Sequence, residues 1–354
     1  MEIIRQEKSV ESQYEGLELG QANIKVIGVG GAGNNMVSWL YRKGIKGAEV
    51  IACNTDIQHL NITEADRKFV LGRDLTKGLG CGGFPEKGAE AAKEAINDIK
   101  DTLKGADMVL VCAGMGGGTG TGAAPVIAKA SRDLGAIVLG TVTMPFKIER
   151  ARVDKAEFGL QQLRQVADTV IVIDNNRLVS IAGNLPVQQA FAVANELVST
   201  MIKGIVETIA VPSLVNLDYA DVKAIMTNGG VAAIGVGSSD TNNRVEEAVN
   251  GALSNPLLDI SYKGATGALL HVIGGPDMTL DEINRVGELV TESLDDDANV
   301  IWGARVDEAM KGKLTIMTII TGVKSPWIVG KMDTKASRPQ RHELSDELGI
   351  EIVR

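Results

Sequence analysis

No apolar run in the 354-residue sequence approaches the roughly 18 positions a membrane-spanning helix needs, so no direct membrane insertion is expected. No basic, apolar and small-residue leader opens it, so secretion is not expected either. Basic residues are in the minority: 36 Lys and Arg against 45 Asp and Glu leave a net charge of −9, which argues against a nucleic-acid face. Cysteine is scarce. Cys53, Cys81 and Cys112 lack C-x-x-C spacing and sit among apolar or glycine residues, so they read as reduced, buried thiols of a cytosolic protein. The histidines, His59, His271 and His342, lie far apart, so neither zinc nor any other protein-held metal centre is expected. Also missing is Gly-Lys-Ser/Thr, so no lysine of the Walker kind reaches a phosphate.

Glycine, by contrast, is abundant, and it concentrates in Gly114-Met115-Gly116-Gly117-Gly118-Thr119-Gly120-Thr121-Gly122. This stretch follows an apolar strand, Met108 to Ala113, and precedes a helical pattern from Ala123 to Leu134. Glycine takes positive φ and lets a ligand approach the backbone. Successive N–H groups in such a turn form an anion nest, and the following helix adds free donors and the positive end of its dipole. Thr119 and Thr121 add hydroxyls. The stretch predicts a phosphate cradle at the carboxyl end of a strand, with charge balanced by backbone dipoles and a metal ion.

A chain of this length is long for one core and comfortable for two. Residues 1–21 are polar and without period. Asn23 to Val29 reads as a strand running into Gly28-Val29-Gly30-Gly31-Ala32-Gly33-Asn34-Asn35 and a helix to about Tyr41. This unit suits a nucleotide-binding α/β fold, and Asp56, ending the next strand, leaves a dinucleotide reading open. Residues 71–83 form a glycine-rich loop, and Pro85 opens a helix to about Lys104. Strands at 136–142 and 169–173 alternate with a helix at 155–163, which indicates a doubly wound parallel sheet. Pro186 opens a long helix, 187–209, apolar on more than one face and therefore buried on most sides. Phe191 and Asn195 sit one turn apart on it. Asp218 reads as the N-cap of a helix over 219–226, with Asp221 at N3. Beyond Gly229-Gly230, strands at 231–236, 268–273, 299–304 and 314–320 alternate with helices at 243–253 and 280–294, making a second, smaller α/β domain with His271 in its core. A basic linker carrying Lys331, Lys335, Arg338 and Arg341 precedes an apolar end, Leu348 to Val353, which suits either a docking peptide or a strand packed on the same chain.

Gly116-Gly117-Gly118-Thr119-Gly120-Thr121-Gly122 resembles the tubulin-family signature of the cell-division GTPase FtsZ, more than that of tubulin itself, and the resemblance extends from about residue 23 to residue 323. It implies the tubulin/FtsZ fold: a tail at 1–21, a GTP-binding domain at 22–186, a central helix at 187–211, a C-terminal α/β domain at 212–323, and a linker and tail at 324–354. It implies GTP or GDP as ligand, with Mg2+ and, as a second candidate, K+. Gly31, Ala32, Gly33, Asn34 and Asn35 would hold phosphates together with Gly114, Gly116, Gly117, Gly118, Thr119, Gly120, Thr121 and Gly122. Asn54 and Asp56 would lie near the γ-phosphate and cation, and residues 71–83 would sense that phosphate. Glu149 would contact the ribose. The family places an arginine four positions on, where this chain has Val153; one deleted residue brings Arg152 to the role, with Arg150 as rival, and the pattern resembles the second paralogue found in many archaea. Phe191 would stack on guanine and Asn195, where many members carry Asp, would meet its edge without charge assistance. Asn216, Asp218 and Asp221 match the catalytic loop N-x-D-x-x-D, which enters the nucleotide site of the next subunit and orients water.

The resemblance further implies a homopolymeric protofilament, cytoplasmic and at the division site. Its tail would recruit membrane-tethering division proteins, and a second paralogue is a candidate partner. Two other readings stand beside it. A GTP-binding regulator that forms no filaments leaves Asp218 and Asp221 without a use. An NAD-linked oxidoreductase is motivated by residues 28–33 and Asp56, but has only His59 near the cleft for hydride transfer.

Overall fold

The computed structural model describes residues 22–325 apart from Pro212, Asn216, Asn228, Pro256, Asp259 and Ser293. Ten strands are present among them: β1 (Ile24–Val29), β2 (Ala48–Asn54), β3 (Arg67–Val70), β4 (Met108–Gly114), β5 (Ile137–Met144), β6 (Thr169–Asp174), β7 (Gly230–Ser239), β8 (Gly267–Gly274), β9 (Asn299–Val306) and β10 (Leu314–Thr321). Helices α1 (Gly30–Lys43), α2 (Ile57–Ile62), α3 (Arg73–Thr76), α4 (Pro85–Glu94), α5 (Ile96–Leu103), α6 (Thr119–Asp133), α7 (Ala151–Val166) and α8 (Asn175–Ala182) belong to the first half. Then come the long α9 (Val187–Ala210), α10 (Tyr219–Met226), α11 (Arg244–Leu253) and α12 (Leu280–Thr291).

The strands form one sheet in the order β3-β2-β1-β4-β5-β6-β7-β10-β8-β9. From β3 to β6 every pairing is parallel. Parallel strands covered on both faces read as unbroken apolar runs, and β1 and β6 are buried at every position. The second half is mixed: β10 runs antiparallel to both β7 and β8. The halves are stitched at a narrow seam, where β6 and β7 pair only through Thr169–Gly230 and Val170–Val231. The strand order runs outward from β1 in one direction and from β4 in the other, so the gap between their carboxyl ends is a topological switch point, where open α/β sheets hold their ligands.

Several elements differ from the sequence-based expectation, among them the short helix α3 inside the stretch 71–83 read as a loop. The helix predicted from Pro85 to Lys104 breaks at Ala95, whose φ of −89° and ψ of 15° end one helix and begin the next. Strand β3 pairs at the sheet edge, and its Arg67 and Lys68 are exposed, so it carries no apolar signal. Most consequential for the site, α6 begins at Thr119 rather than at Ala123, so half of the glycine-rich stretch is helix and the loop shrinks to Met115–Gly118.

Candidate functional site

Helices α1 and α6 start side by side at the switch point. A Cβ on Gly30 would lie 2.9 Å from the Gly120 nitrogen. Neither helix has a side-chain N-cap or an acidic residue in its first turn. Each therefore presents uncapped N–H donors and the positive end of its dipole to the same spot. The neighbouring α2 and α8 are capped by Asp56 and Asp174, so their donors are already spent on their own chain. A cavity of about 290 Å³ opens over the two uncapped ends. Gly31, Ala32, Gly114, Gly117, Gly118, Thr119, Gly120, Glu149 and Arg152 line it, as do Thr143, Pro145 and Asn175. Backbone dipoles from two helices and one guanidinium make it a site for a polyanion.

The glycines divide into two kinds. A Cβ on Gly33 would come within 2.2 Å of the Cys112 oxygen, one on Gly120 within 2.4 Å of the Gly114 oxygen, and one on Gly122 within 1.9 Å of the Pro85 oxygen. These glycines let α1, β4, α4 and α6 approach one another. At Gly117 a Cβ would meet nothing within 4 Å, so this position faces the cavity itself. Gly116 combines φ of 96° with an amide that donates to Thr121 Oγ1 at 2.9 Å. Thr121 thus braces the loop from inside, and Gly122 donates its N–H to the Gly118 carbonyl. Thr119 Oγ1 shares a hydrogen with Thr55 Oγ1 at 2.6 Å, tying the loop to the end of β2.

Asn34 is not part of the cavity lining. It is fully buried, and with its amide turned toward the Gly28 and Cys53 carbonyls it donates to them at 2.9 and 3.2 Å. It holds β1, β2 and α1 in register beneath the cradle. Asn35 is exposed on α1 outside the cavity lining. Asn54 is buried and accepts from the Asp56 amide at 3.3 Å. The Asp56 carboxylate accepts from the Gln58 and His59 amides at 2.9 and 3.2 Å. His59, half-buried, brings Nε2 to 3.8 Å from a Cβ placed on Gly31, and its buried Nδ1 has no partner. The sequence already places His59 near the cleft, and the fold shows which of its ring atoms faces Gly31.

Glu149 is engaged twice, accepting from the Phe146 amide at 2.9 Å and from Arg152 Nη1 at 2.7 Å. Arg152 lines the cavity and Arg150 does not. Arg150 instead sits at the turn into α7 with φ of 39°, a left-handed value rare for a side-chain-bearing residue. Phe191 is 42 % exposed and meets Phe146 edge to face, with ring centroids 6.2 Å apart and planes at 76°. The half-buried Asn195 lies one turn further along α9, and Glu196 beside it ties α9 to α1 through Trp39 Nε1 at 2.7 Å and Lys43.

Asp218 and Asp221 lie elsewhere. They form a reciprocal capping box on α10, in which the Asp221 amide donates to Asp218 Oδ1 at 2.8 Å and the Asp218 amide to Asp221 Oδ2 at 3.4 Å. Next to them Tyr219 donates its hydroxyl to the Asp107 carbonyl at 2.6 Å, immediately before β4. Burial and the charges of Asp107 and Asp168 push that phenol up to about 12, so it stays protonated. The pair is thus at the amino end of the strands. Six residue steps of β4, about 20 Å, separate that end from the cradle. Asn216 lies outside the described residues, as do the tail at 1–21 and the apolar end at 348–353.

The three cysteines are free and buried, and burial pushes the Cys53 and Cys112 thiols up, so those two are inert. Among the described residues no helix is long and apolar enough to cross a membrane, and no cluster of three metal-ligating side chains occurs.

Comparisons with known proteins agree with the geometry. A sequence model of the Tubulin/FtsZ family GTPase domain matches residues 23–183, and one of the FtsZ family C-terminal domain matches residues 230–324. The chain is 57 % identical to cell division protein FtsZ 2 of Methanocaldococcus jannaschii over 334 residues, covering 94 % of this chain and 88 % of the relative. It is 51 % identical to cell division protein FtsZ 2 of Halobacterium salinarum over 329 residues, covering 93 % and 84 %. A solved empty FtsZ dimer from M. jannaschii matches with a TM-score of 0.81 at 47 % identity, over 89 % of this chain and 92 % of that one. The GTPγS-bound protofilament of CetZ2 from Haloferax volcanii matches with a TM-score of 0.73 at 25 % identity, over 86 % and 94 %. With the cradle at its switch point and both halves accounted for, the chain belongs to the FtsZ family, the tubulin-like GTPases of cell division.

Proposed function

We propose that the chain polymerises head to tail and that Asp218 and Asp221 of one subunit complete the nucleotide site of the next. The observation that carries this is polar placement: the cradle lies at the carboxyl end of the parallel strands and the carboxylate pair at the amino end. No motion within one folded chain brings the two together, whereas translation of a second copy along the strand axis does. Exposed apolar side chains support the same stacking. Leu79 (82 % exposed) and Ile148 (85 %) flank the cradle, and Leu214 (74 %) precedes Asp218.

In this reading Gly31, Ala32, Gly33, Gly114, Gly116, Gly117, Gly118, Thr119 and Gly120 surround the phosphates through backbone donors. Asn34, Thr121 and Gly122 hold the cradle's shape, Asn35, Asn54 and Asp56 stand at its margin, and Arg152 meets a phosphate. To reach the ribose, Glu149 exchanges part of its bond to Arg152 for one to a hydroxyl. Phe191 stacks on the base and Asn195 meets its edge. The incoming Asp218 and Asp221, with Asn216, orient the attacking water, which is most of what a protein supplies to phosphoryl transfer. Mg2+, which binds chiefly through substrate phosphates and water, fits a cradle of hydroxyl and carboxylate oxygens; it would neutralise phosphate charge, with K+ as a second cation. The filament forms or supports the division ring. The segment 348–353 recruits a membrane-tethering partner, and a second paralogue shares the ring.

The test is phosphate release from GTP per molecule as a function of protein concentration. A rate near zero at high dilution that rises beyond a threshold is expected. Asp221→Ala should bind GTP as the parent does yet release no phosphate. A constant rate per molecule at all concentrations would sink the shared-site reading and leave the two aspartates as helix caps.

A further inference from the structure

A second cavity, of about 300 Å³, lies between α9 and the C-terminal half of the sheet. Its helical wall is one stripe of α9, carrying Thr200, Lys203, Glu207 and Thr208, joined by Lys43 from the end of α1. Its other wall is the facing side of the sheet, with His271 and Arg305. The walls pinch together where Gly204 meets Met317, since a Cβ there would lie 2.5 Å from the sulfur.

The charges around this cavity are unevenly satisfied. Lys43 is paired with Glu196. Lys203 is held loosely, 3.6 Å from Glu207, and donates to the Lys43 carbonyl at 3.3 Å. The His271 ring is bracketed by Thr208 Oγ1, 2.9 Å from Nδ1, and Ser213 Oγ, 3.4 Å from Nε2. Burial and the Arg305 charge push His271 down to about 4, so it adds no charge at neutral pH. Arg305 has no carboxylate partner among the described residues, and its Nε is buried with no acceptor. A buried donor left unmade is costly and calls for an explanation. A guanidinium fork facing a loosely held ammonium across a cavity grips oxyanions.

We propose that this cavity is an anion site between the two domains that takes one phosphate group, supplied as inorganic phosphate or by a small phosphate monoester. A planar carboxylate would be satisfied by Arg305 alone. Here the charged donors come from opposite walls, Arg305 from β9 and Lys203 from α9, which suits a tetrahedral group. The occupant ties the domain-joining helix to the C-terminal sheet.

Calorimetric titration of the GDP-saturated full chain with inorganic phosphate, and separately with glycerol 3-phosphate, tests this. Saturable binding of one equivalent of at least one probe is expected, and the tighter probe identifies the source. Arg305→Gln should weaken binding at least about tenfold, as loss of a charged hydrogen bond does. Lys203→Gln should weaken it several-fold, and both should leave GDP affinity unchanged. Absence of saturable binding by either probe would overturn the proposal. So would binding that both variants retain in full, which would place the phosphate in the nucleotide cradle instead. Should Arg305→Gln not fold, the half-buried Lys203 on α9 carries the comparison alone.

Discussion

At the residue scale the cradle separates side chains that build from those that touch. Gly122 and Gly117 are indistinguishable as letters in a glycine-rich run. The first has a carbonyl oxygen 1.9 Å from where a Cβ would be, and the second has open space. Gly122→Ala should therefore cost about 1–3 kcal/mol of stability by overpacking. Gly117→Ala should leave stability within about 0.5 kcal/mol, as surface substitutions do, while placing a methyl group in the phosphate cavity. Urea unfolding and GTP titration of the two variants read the two effects separately, and equal stability loss in both would contradict the division. The arginines divide likewise. Arg150→Gly should stabilise the fold by about 1 kcal/mol by relieving its left-handed backbone, with GTP affinity unchanged. Arg152→Gln should weaken GTP binding by about 1.5–3 kcal/mol, the range for a hydrogen bond from a charged group. The opposite pattern in nucleotide titrations would make Arg150 the phosphate ligand.

At the scale of elements, the C-terminal half is held by a clamp that spans three of them. Arg244, opening α11, bonds Glu282 of α12 at 2.7 and 3.0 Å and Asp277, after β8, at 2.7 Å. The Gly312 amide and then Arg244 hold Asp277 down to about 2, and Arg244 holds Glu282 below its usual 4.5. Both carboxylates are depressed in the fold, so the stability they add is complete above their unfolded values and is lost as pH falls through the folded ones. Arg244→Gln should therefore destabilise the protein at pH 7, and the gap to the parent should narrow between pH 4.5 and 2. Denaturation curves across that range measure it; a gap that does not change with pH would mean that the arginine acts by packing alone.

The same scale shows why parts of the molecule were legible in sequence and parts were not. The parallel core could be read because strands such as β1 and β6 are buried throughout. The start of α6 could not, because threonine and glycine are poor helix formers and only tertiary packing against Pro85 and Gly114 makes Gly120 and Gly122 helical. Asn34 reads as a polar loop residue until β2 is known to supply the Cys53 carbonyl beside it. The Arg305 cavity was invisible because its walls come from α9 and from strands that lie from tens to more than a hundred positions further along the chain.

For the whole molecule the decisive fact is that the cradle and the Asp218–Asp221 pair occupy opposite ends of one sheet. A head-to-tail contact is heterologous: each subunit offers its cradle to one neighbour and its aspartates to the other. This permits a test that no single variant provides. Gly117→Ala is expected to lack a working cradle but keep its aspartates, and Asp221→Ala to keep its cradle but lack the acid pair. Each should be inactive alone at any concentration. In an equal mixture that assembles at random, the contacts that join an intact cradle to an intact pair should be about one quarter of the total, and GTP turnover should return to about that fraction of the parent rate. If every site were completed within its own chain, no contact could combine the intact halves, and the mixture would stay as inactive as its parts. Because Asp221 also caps α10, Asp221→Ala must first be shown to unfold at a temperature close to that of the parent. With that established, recovery in the mixture can come only from aspartates that act across the subunit boundary.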